Sequence, residues 1–298
     1  MDYVNSMKIF MNVADMESFT QAAESLSLPK ATVSAAVQQL ETQLGARLLN
    51  RTTRQVKLTQ DGVLFYERCQ NVLADLDELE GLFKQDPKQL TGKVRISMST
   101  RLAKNHIIPR LHEFYEQYPN IEVELSVSDQ LVDLVQEGID FVIRSGELQN
   151  SNLIAKPLKP MAIANVCSPS YIKRFGKPKK ISDLANHYAV QYASRLGGKT
   201  ADWEYLENGK LHFVKMKGLI TVNNTDAYVE CCLAGLGMVQ VPEHDILPNL
   251  KDGSLIRVLE DFPAEPMPTA IVYPSRKHVS RRAQALMQWI EQVIKEMH

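Results

Sequence analysis

Four cationic side chains, Arg47, Arg51, Arg54 and Lys57, fall between Thr42 and Gln60 with no acidic residue among them. Groups of one sign packed this densely suit phosphate oxygens, to which guanidinium and ammonium donate charge-assisted hydrogen bonds. The competing reading is a solvated charge run. A second set lies at the ends of strand-like runs: Ser99, Thr100, Arg101, Ser126, Ser128, Arg144, Tyr192, Asn223 and Asn224. Open α/β sheets bind ligands at the carboxyl ends of their strands, and the helix N-termini that follow favour anions. A small carboxylate or similar anion is the guest such a crevice suits, although any one Ser, Thr or Asn there also serves as a helix cap. Catalytic patterns are absent: the chain has no dinucleotide-binding glycine motif, phosphate loop or nucleophile elbow. Its four cysteines (Cys69, Cys167, Cys231, Cys232) and seven histidines show no metal-ligand spacing. No cofactor, no metal and no enzyme activity are expected, and the thiols read as reduced and structural.

The elements that must carry the basic run are legible. Met7, Phe10, Val13 and Ala14 recur at helical spacing, predicting a helix from about Val4 to Ala14. Ser18-Phe-Thr-Gln21 is a capping box that starts a second helix running to about Leu26. Pro29 suits the first turn of a third helix, which Gly45 ends. In that helix Val33, Val37, Leu40 and Leu44 form an apolar stripe, leaving Ala31, Ser34, Ala35 and Gln38 outward. Small polar side chains on the second of two short helices, beside a basic loop, suit a major groove. Any three-helix bundle also has such a face. The basic run Arg47 to Leu58 reads as two short strands around a turn, a wing able to set guanidinium groups on phosphates or in a minor groove.

Taken in order, Phe10-x-x-Val13, Ser18-Phe-Thr-x-Ala22-Ala23-x-x-Leu26, Val33-Ser34, Leu40-Glu41-x-x-Leu44-Gly45-x-x-Leu48-Leu49-x-Arg51 and Leu58-Thr59-x-x-Gly62 resemble the LysR-type transcriptional regulators. The resemblance implies base contacts from the start of the third helix, here Lys30, Ala31, Ser34 and Ala35, and Arg54 in the minor groove. With Thr32, Gln38 and Arg51 these make up the DNA-facing candidates. Members often carry Arg after the helix serine, whereas this chain has Ala35, so specificity leans on DNA shape, Lys30 and Gln38. The resemblance also implies a sensor domain that binds a small effector, tetramers formed through those sensors, and RNA polymerase as a further partner.

From Thr59 to about Gln85 the chain contains no proline. Phe65, Cys69, Val72, Leu76, Leu79 and Phe83 follow one another at steps of four and three. This heptad seam predicts a coiled-coil dimer, with a long helix packed on its own chain as the alternative. Seven acids against Arg68 and Lys84 between Asp61 and Asp86 make an acidic stalk behind a basic tip. A symmetric dimer implies a dyad-symmetric site on double-stranded DNA.

Beyond the linker Asp86 to Gly92 the periodicity becomes that of alternating strand and helix. Val94, Ile96 and Met98 begin a β-α-β series that a short helix, Leu131 to Gln136, and a strand, Phe141 to Arg144, extend. A mostly parallel sheet is expected. A second series begins after Pro160, and the chain returns through Thr269 to Tyr273 and a terminal helix, Arg281 to Lys295. The predicted architecture is α/β: a winged helix-turn-helix domain (1–58), a coiled-coil linker helix and hinge (59–91), and a two-lobed, periplasmic-binding-protein-like (type 2) effector domain (92–298). Its first lobe spans 92–160 and 266–298, its second 161–265.

Bulk properties agree. A chain of 298 residues with 44% hydrophobic and 23% charged residues suits two or three folded units, and the net charge of −1 hides the local basic run. No secretory pattern opens the sequence and no apolar run reaches membrane-span length, so a cytoplasmic regulator without membrane partners is expected. The alternatives are a ligand-independent DNA binder, an enzyme built on the α/β domain, and a transport-type solute binder, the last disfavoured by the missing leader.

Overall fold

A computed structural model of the chain describes residues 2–51, 56–80, 87–130, 134, 137–146, 153–195, 197–274 and 279–297. The wing-tip residue Arg54, the seam residue Phe83 and all but Leu134 of the helix expected over Leu131–Gln136 lie outside them, as does the side chain of Arg51. The chain divides into two compact units, Met1–Lys93 with Asn120–Glu122, and Val94–Pro119 with Val123–His298.

In the first unit, α1 (Tyr3–Asp15), α2 (Phe19–Ser25) and α3 (Lys30–Leu44) pack around Ile9, Phe10, Val13, Val33, Val37 and Leu40. Ser18 caps α2, its hydroxyl accepting from the Gln21 N–H at 3.3 Å. Gly45 ends α3 in the left-handed region at φ +65°. Leu44 leaves the expected stripe and is exposed, because the stripe runs out in the last turn of α3. The wing is a two-stranded antiparallel ribbon of β1 (Leu49–Arg51) and β2 (Val56–Leu58). It is fastened at its base: one Glu41 carboxylate oxygen accepts from the N–H groups of Leu48 and Leu49, at 2.9 and 3.1 Å. Thr59 donates its N–H to the Leu48 carbonyl and its hydroxyl to that of Arg47.

Helix α4 (Gln60–Glu80) corrects the seam expected from sequence. Cys69 is buried within the chain against Met7 and Leu73, and Phe65 and Leu76 pack on the same cluster beside α1. Among the described seam positions, Val72 and Leu79 are exposed, at 44% and 59%. Of the five described positions, Phe65, Cys69 and Leu76 therefore pack beside α1 while Val72 and Leu79 face outward, a division that a period alone does not separate.

The second unit begins with β3 (Gly92–Met98), which leads into α5 (Thr100–Leu102). A π-helical turn (Ala103–Ile107) and a 3-10 turn (Ile108–Arg110) follow, then α6 (Leu111–Gln117). Pro109, which lacks an N–H, sits in the first turn of that 3-10 segment, where no hydrogen bond is required of it. With β4 (Ile121–Val127), β5 (Phe141–Ser145) and β6 (Leu153–Pro157), the returning strand β14 (Thr269–Pro274) completes a five-stranded sheet in the order β4-β3-β5-β14-β6.

The other lobe is built from β7 (Ile163–Cys167), α7 (Pro169–Phe175), β8 (Gln191–Tyr192), the hairpin β9 (Trp203–Glu207) and β10 (Lys210–Val214), and β11 (Thr221–Val222). It continues through α8 (Thr225–Leu233), β12 (Val239–Pro242), α9 (Leu247–Asp252) and β13 (Ile256–Arg257). Helix α10 (Arg281–Glu296) then buries Leu286, Trp289, Ile290 and Val293, with Trp289 against Phe114 of α6 at 5.7 Å between ring centroids.

The sheets are mixed, which corrects the expectation of mostly parallel pairing. β3 and β5 run parallel, but β14 is antiparallel to both β5 and β6, and β7 is antiparallel to β12 and β13. In the five-stranded sheet the antiparallel pairs are those of the returning strand β14, which enters from the other lobe. The two crossings are tied together by Met161 and Met267, whose N–H groups donate to each other's carbonyls at 2.9 and 2.8 Å.

Candidate functional site

The first site candidate is the outward face of α3. Lys30, Ala31, Ala35 and Gln38 are exposed along one side while Val33, Ala36, Val37 and Leu40 point to the core; Thr32 and Ser34 are half-buried at the border. The spacing of the buried positions fixes this orientation, since residues three and four apart share a face. The side chains that reach outward are two methyl groups, an amide and an ammonium. The backbone of α3 can therefore come close to a flat polar surface.

The second candidate is a cavity of about 450 Å³ between the two lobes of the second unit. Five of the nine expected residues line it: Ser99, Arg101, Ser128, Arg144 and Tyr192. Thr100, Ser126, Asn223 and Asn224 do not. Ser126 is exposed on β4, an edge strand, and the chain turns at Ser128, whose hydroxyl accepts from the Gln130 N–H at 3.1 Å. Asn223 is outside the lining. Asn224 caps α8 through the Ala227 N–H, and its amide donates to the Thr100 hydroxyl at 3.3 Å, so both side chains are spent on each other and on the helix terminus.

The anion position expected at these strand ends is taken by the protein itself. One Asp129 oxygen accepts from the Thr100 N–H at 2.9 Å. The other accepts from the Thr225 N–H, the Thr225 hydroxyl and the Asn224 amide at 2.6, 3.0 and 3.1 Å. Sequence reading missed Asp129 because a lone aspartate after a strand carries no pattern. Arg101 is likewise engaged, donating to Asp226 at 2.8 Å and to the Asp245 carbonyl at 2.6 Å.

Donors without partners remain elsewhere in the wall. Arg144 donates one arm to the Gln130 carbonyl at 3.0 Å, but its Nη2 is buried and finds no partner among the described residues; nor does the buried Trp203 Nε1. Burial pushes the Arg144 pKa down. Tyr192 is pushed up to about 12 by burial and by the charge of Asp129, so it stays a neutral phenol. Its ring meets Tyr228 edge to face at 5.6 Å. Burial, with the charge of Glu265, raises the Glu204 carboxyl. Met161 and Met267, the paired crossings, also line the cavity. Apolar side chains such as Leu102, Ile143, Ile163 and Val190 share the lining with polar and charged groups, including Asp129, Asp202, Glu204 and Asp245.

The thiols offer no comparable chemistry. All four are free, and burial raises the pKa of each, which disfavours the reactive thiolate. Among the described residues no helix is long and apolar enough to cross a membrane.

Comparison with known proteins follows the same division. Residues 4–63 match the model for the bacterial regulatory helix-turn-helix protein, lysR family, and residues 87–295 match that for the LysR substrate binding domain. The chain is 43% identical over 296 residues to the uncharacterized HTH-type transcriptional regulator YhjC of Escherichia coli (strain K12), covering 99% of both chains. It is 34% identical to an HTH-type transcriptional repressor of Pseudomonas aeruginosa (strain UCBPP-PA14), covering 99% of this chain and 93% of that one. Among solved structures it resembles CrgA, a LysR-type transcriptional regulator from Neisseria meningitidis. That match has a TM-score of 0.61 at 27% identity and covers 97% of this chain and 98% of the other. Full-length AphB, a virulence activator of Vibrio cholerae, matches with a TM-score of 0.57, 27% identity and the same coverage.

Proposed function

The chain belongs to the LysR family of DNA-binding transcriptional regulators with an effector-binding domain, and from that premise we propose the chemistry of its effector and the residues that read its DNA. The effector is a small molecule with a largely apolar body and one carboxylate or carbonyl oxygen, received by Arg144 and Trp203. The observation that carries this is that Arg144 Nη2 and Trp203 Nε1, with Arg101 Nε, are buried donors without described hydrogen-bond partners in the cavity wall, and Arg101, unlike the other two, is already held by Asp226 and Asp245. A buried donor left unmade costs about 1–3 kcal/mol, more when charged, and a ligand oxygen removes that cost. The helix-terminal donors first expected to hold the anion are satisfied by Asp129, so the anionic group of the effector is assigned to Arg144.

DNA is read by Lys30, Ala31, Ala35 and Gln38 at the surface of α3, with Thr32 and Ser34 behind them and Arg51 and Arg54 on the wing. Two subunits joined along α4 address a dyad-symmetric site, pairs of dimers form tetramers, and RNA polymerase is the partner through which occupancy alters transcription. A regulator of this kind has no catalytic step and works in the cytoplasm, where its DNA is.

The test is a thermal-shift titration of the full chain with a panel of aromatic and aliphatic carboxylates, repeated on Arg144→Gln. A responding ligand raises the melting midpoint with concentration, and its apparent affinity falls roughly tenfold or more in the variant, the loss expected of a charge-assisted bond. An identical titration for parent and variant removes Arg144 from the site.

A further inference from the structure

Beside the effector cavity, two imidazoles and a carboxylate meet at one point. His106 stands on the π-helical turn Ala103–Ile107; His244 and Asp245 stand on the 3-10 turn Glu243–Ile246 that follows β12 in the other lobe. Their side chains are 18%, 10% and 7% exposed. Nε2 of His106 lies 3.3 Å and Nε2 of His244 lies 3.7 Å from the same oxygen, Asp245 Oδ1, and the two rings meet edge to face at 4.9 Å. One ligand atom from each residue falls within 4.8 Å of the other two.

A hydrogen-bonded cluster accounts for only part of this. Asp245 Oδ1 is within reach of His106 and of the Asn105 amide at 3.4 Å, but the nearly buried His244 ring makes no hydrogen bond to any described residue. Arg101 faces the other carboxylate oxygen, with its Nε 3.9 Å from Asp245 Oδ2, while its two terminal nitrogens are engaged by Asp226 and by the Asp245 carbonyl; Oδ1 is left to the imidazoles and the Asn105 amide. Ligand atoms about 2.0–2.1 Å from a tetrahedral ion stand roughly 3.3 Å from one another, so two of the three edges are nearly formed and the third needs a small ring rotation. A pocket of about 250 Å³ adjoins both imidazoles and leaves room for water as a fourth ligand.

We propose that His106, His244 and Asp245 bind one divalent first-row transition-metal ion of the zinc type. Two neutral nitrogens and one carboxylate suit zinc, nickel, cobalt or copper and disfavour magnesium or calcium, which take oxygen ligands. Because His106 belongs to one lobe and the other two ligands to the second, the ion cross-links the lobes next to the cavity and stabilises the arrangement in which they meet.

The test uses the untagged full chain, stripped with chelator and equilibrated with micromolar zinc chloride. It should retain about one zinc per chain, and its melting midpoint should rise with zinc concentration. Cobalt chloride in place of zinc should give visible d–d absorption that one equivalent of zinc abolishes, a readout that needs no variant. The double variant His106→Gln/His244→Gln should retain less than a tenth of that zinc. A parent chain that retains no zinc and develops no cobalt band overturns the proposal, as does a folded double variant that retains as much zinc as the parent.

Discussion

Gly62 illustrates how a single residue carries a constraint from sequence to wing. A Cβ at this position would lie 2.0 Å from the Leu48 carbonyl oxygen and 2.9 Å from its carbon, both backbone atoms with no side-chain freedom to yield. The same carbonyl accepts the Thr59 N–H at 2.9 Å, so it cannot retreat without loosening the base of the wing. Gly62→Ala should therefore destabilise the N-terminal unit by about 1–3 kcal/mol, the usual range for forced overpacking. Circular-dichroism melting of parent and variant checks this, and equal midpoints would show that the close approach is relieved at no cost. The sequence motif Leu58-Thr59-x-x-Gly62 held the information, but the atom that requires the glycine is ten or more residues away in the chain.

At the scale of the element, α4 shows two apolar faces side by side. Phe65, Cys69, Leu73 and Leu76 pack with Met7 and Val4, whereas Val72 and Leu79 face outward. A partner helix would then be met through Val72 and Leu79. Leu79→Glu should place facing carboxylates in a desolvated interface and convert the dimer to monomers in a sedimentation experiment. Affinity for a dyad-symmetric DNA site should fall roughly a hundredfold with the loss of linked half-sites. Cys69→Ser is the contrasting variant: it should lower the melting midpoint while leaving the association state unchanged. A Leu79→Glu protein that sediments as the parent does would return the interface to another face.

At the scale of the whole effector-binding unit, Asp129 is a resident anion that joins the lobes. It accepts from Thr100 after β3 and from Asn224 and Thr225 at the start of α8, and Arg101 with Lys104 reaches Asp226 across the same gap. Asp129→Ala removes the acceptor for four hydrogen bonds and leaves backbone N–H groups open. The variant should melt at a loss of about 2–4 kcal/mol, since a hydrogen bond to a charged group contributes roughly 1.5–3 kcal/mol net and the freed donors regain part of the loss from water. Added acetate should restore part of that loss in the variant and none in the parent, because an external carboxylate can occupy donors that the parent already satisfies. Absence of any acetate-dependent recovery would mean that the freed donors are hydrated or collapse together.

Features that depend on local pattern were legible in the chain before it was folded. Helical spacing, the Ser18 cap and the Gly45 stop gave α1, α2 and α3 to within a residue or two, and the change of period after Gly92 gave the two-lobed division. Five cavity residues were legible because strand ends project toward a cleft in any open α/β sheet. Asn208-Gly209, both at positive φ, marks the hairpin β9–β10 in the sequence too, a turn signal that the alternation of strand and helix overshadowed. Tertiary structure alone decided the rest. The antiparallel entry of β14, the filling of the anion position by Asp129, the burial of Cys69 against α1 and the meeting of His106 with His244 and Asp245 all join residues distant in the chain. Such contacts are set by how whole surfaces pack, and a period of two or 3.6 residues carries no record of them.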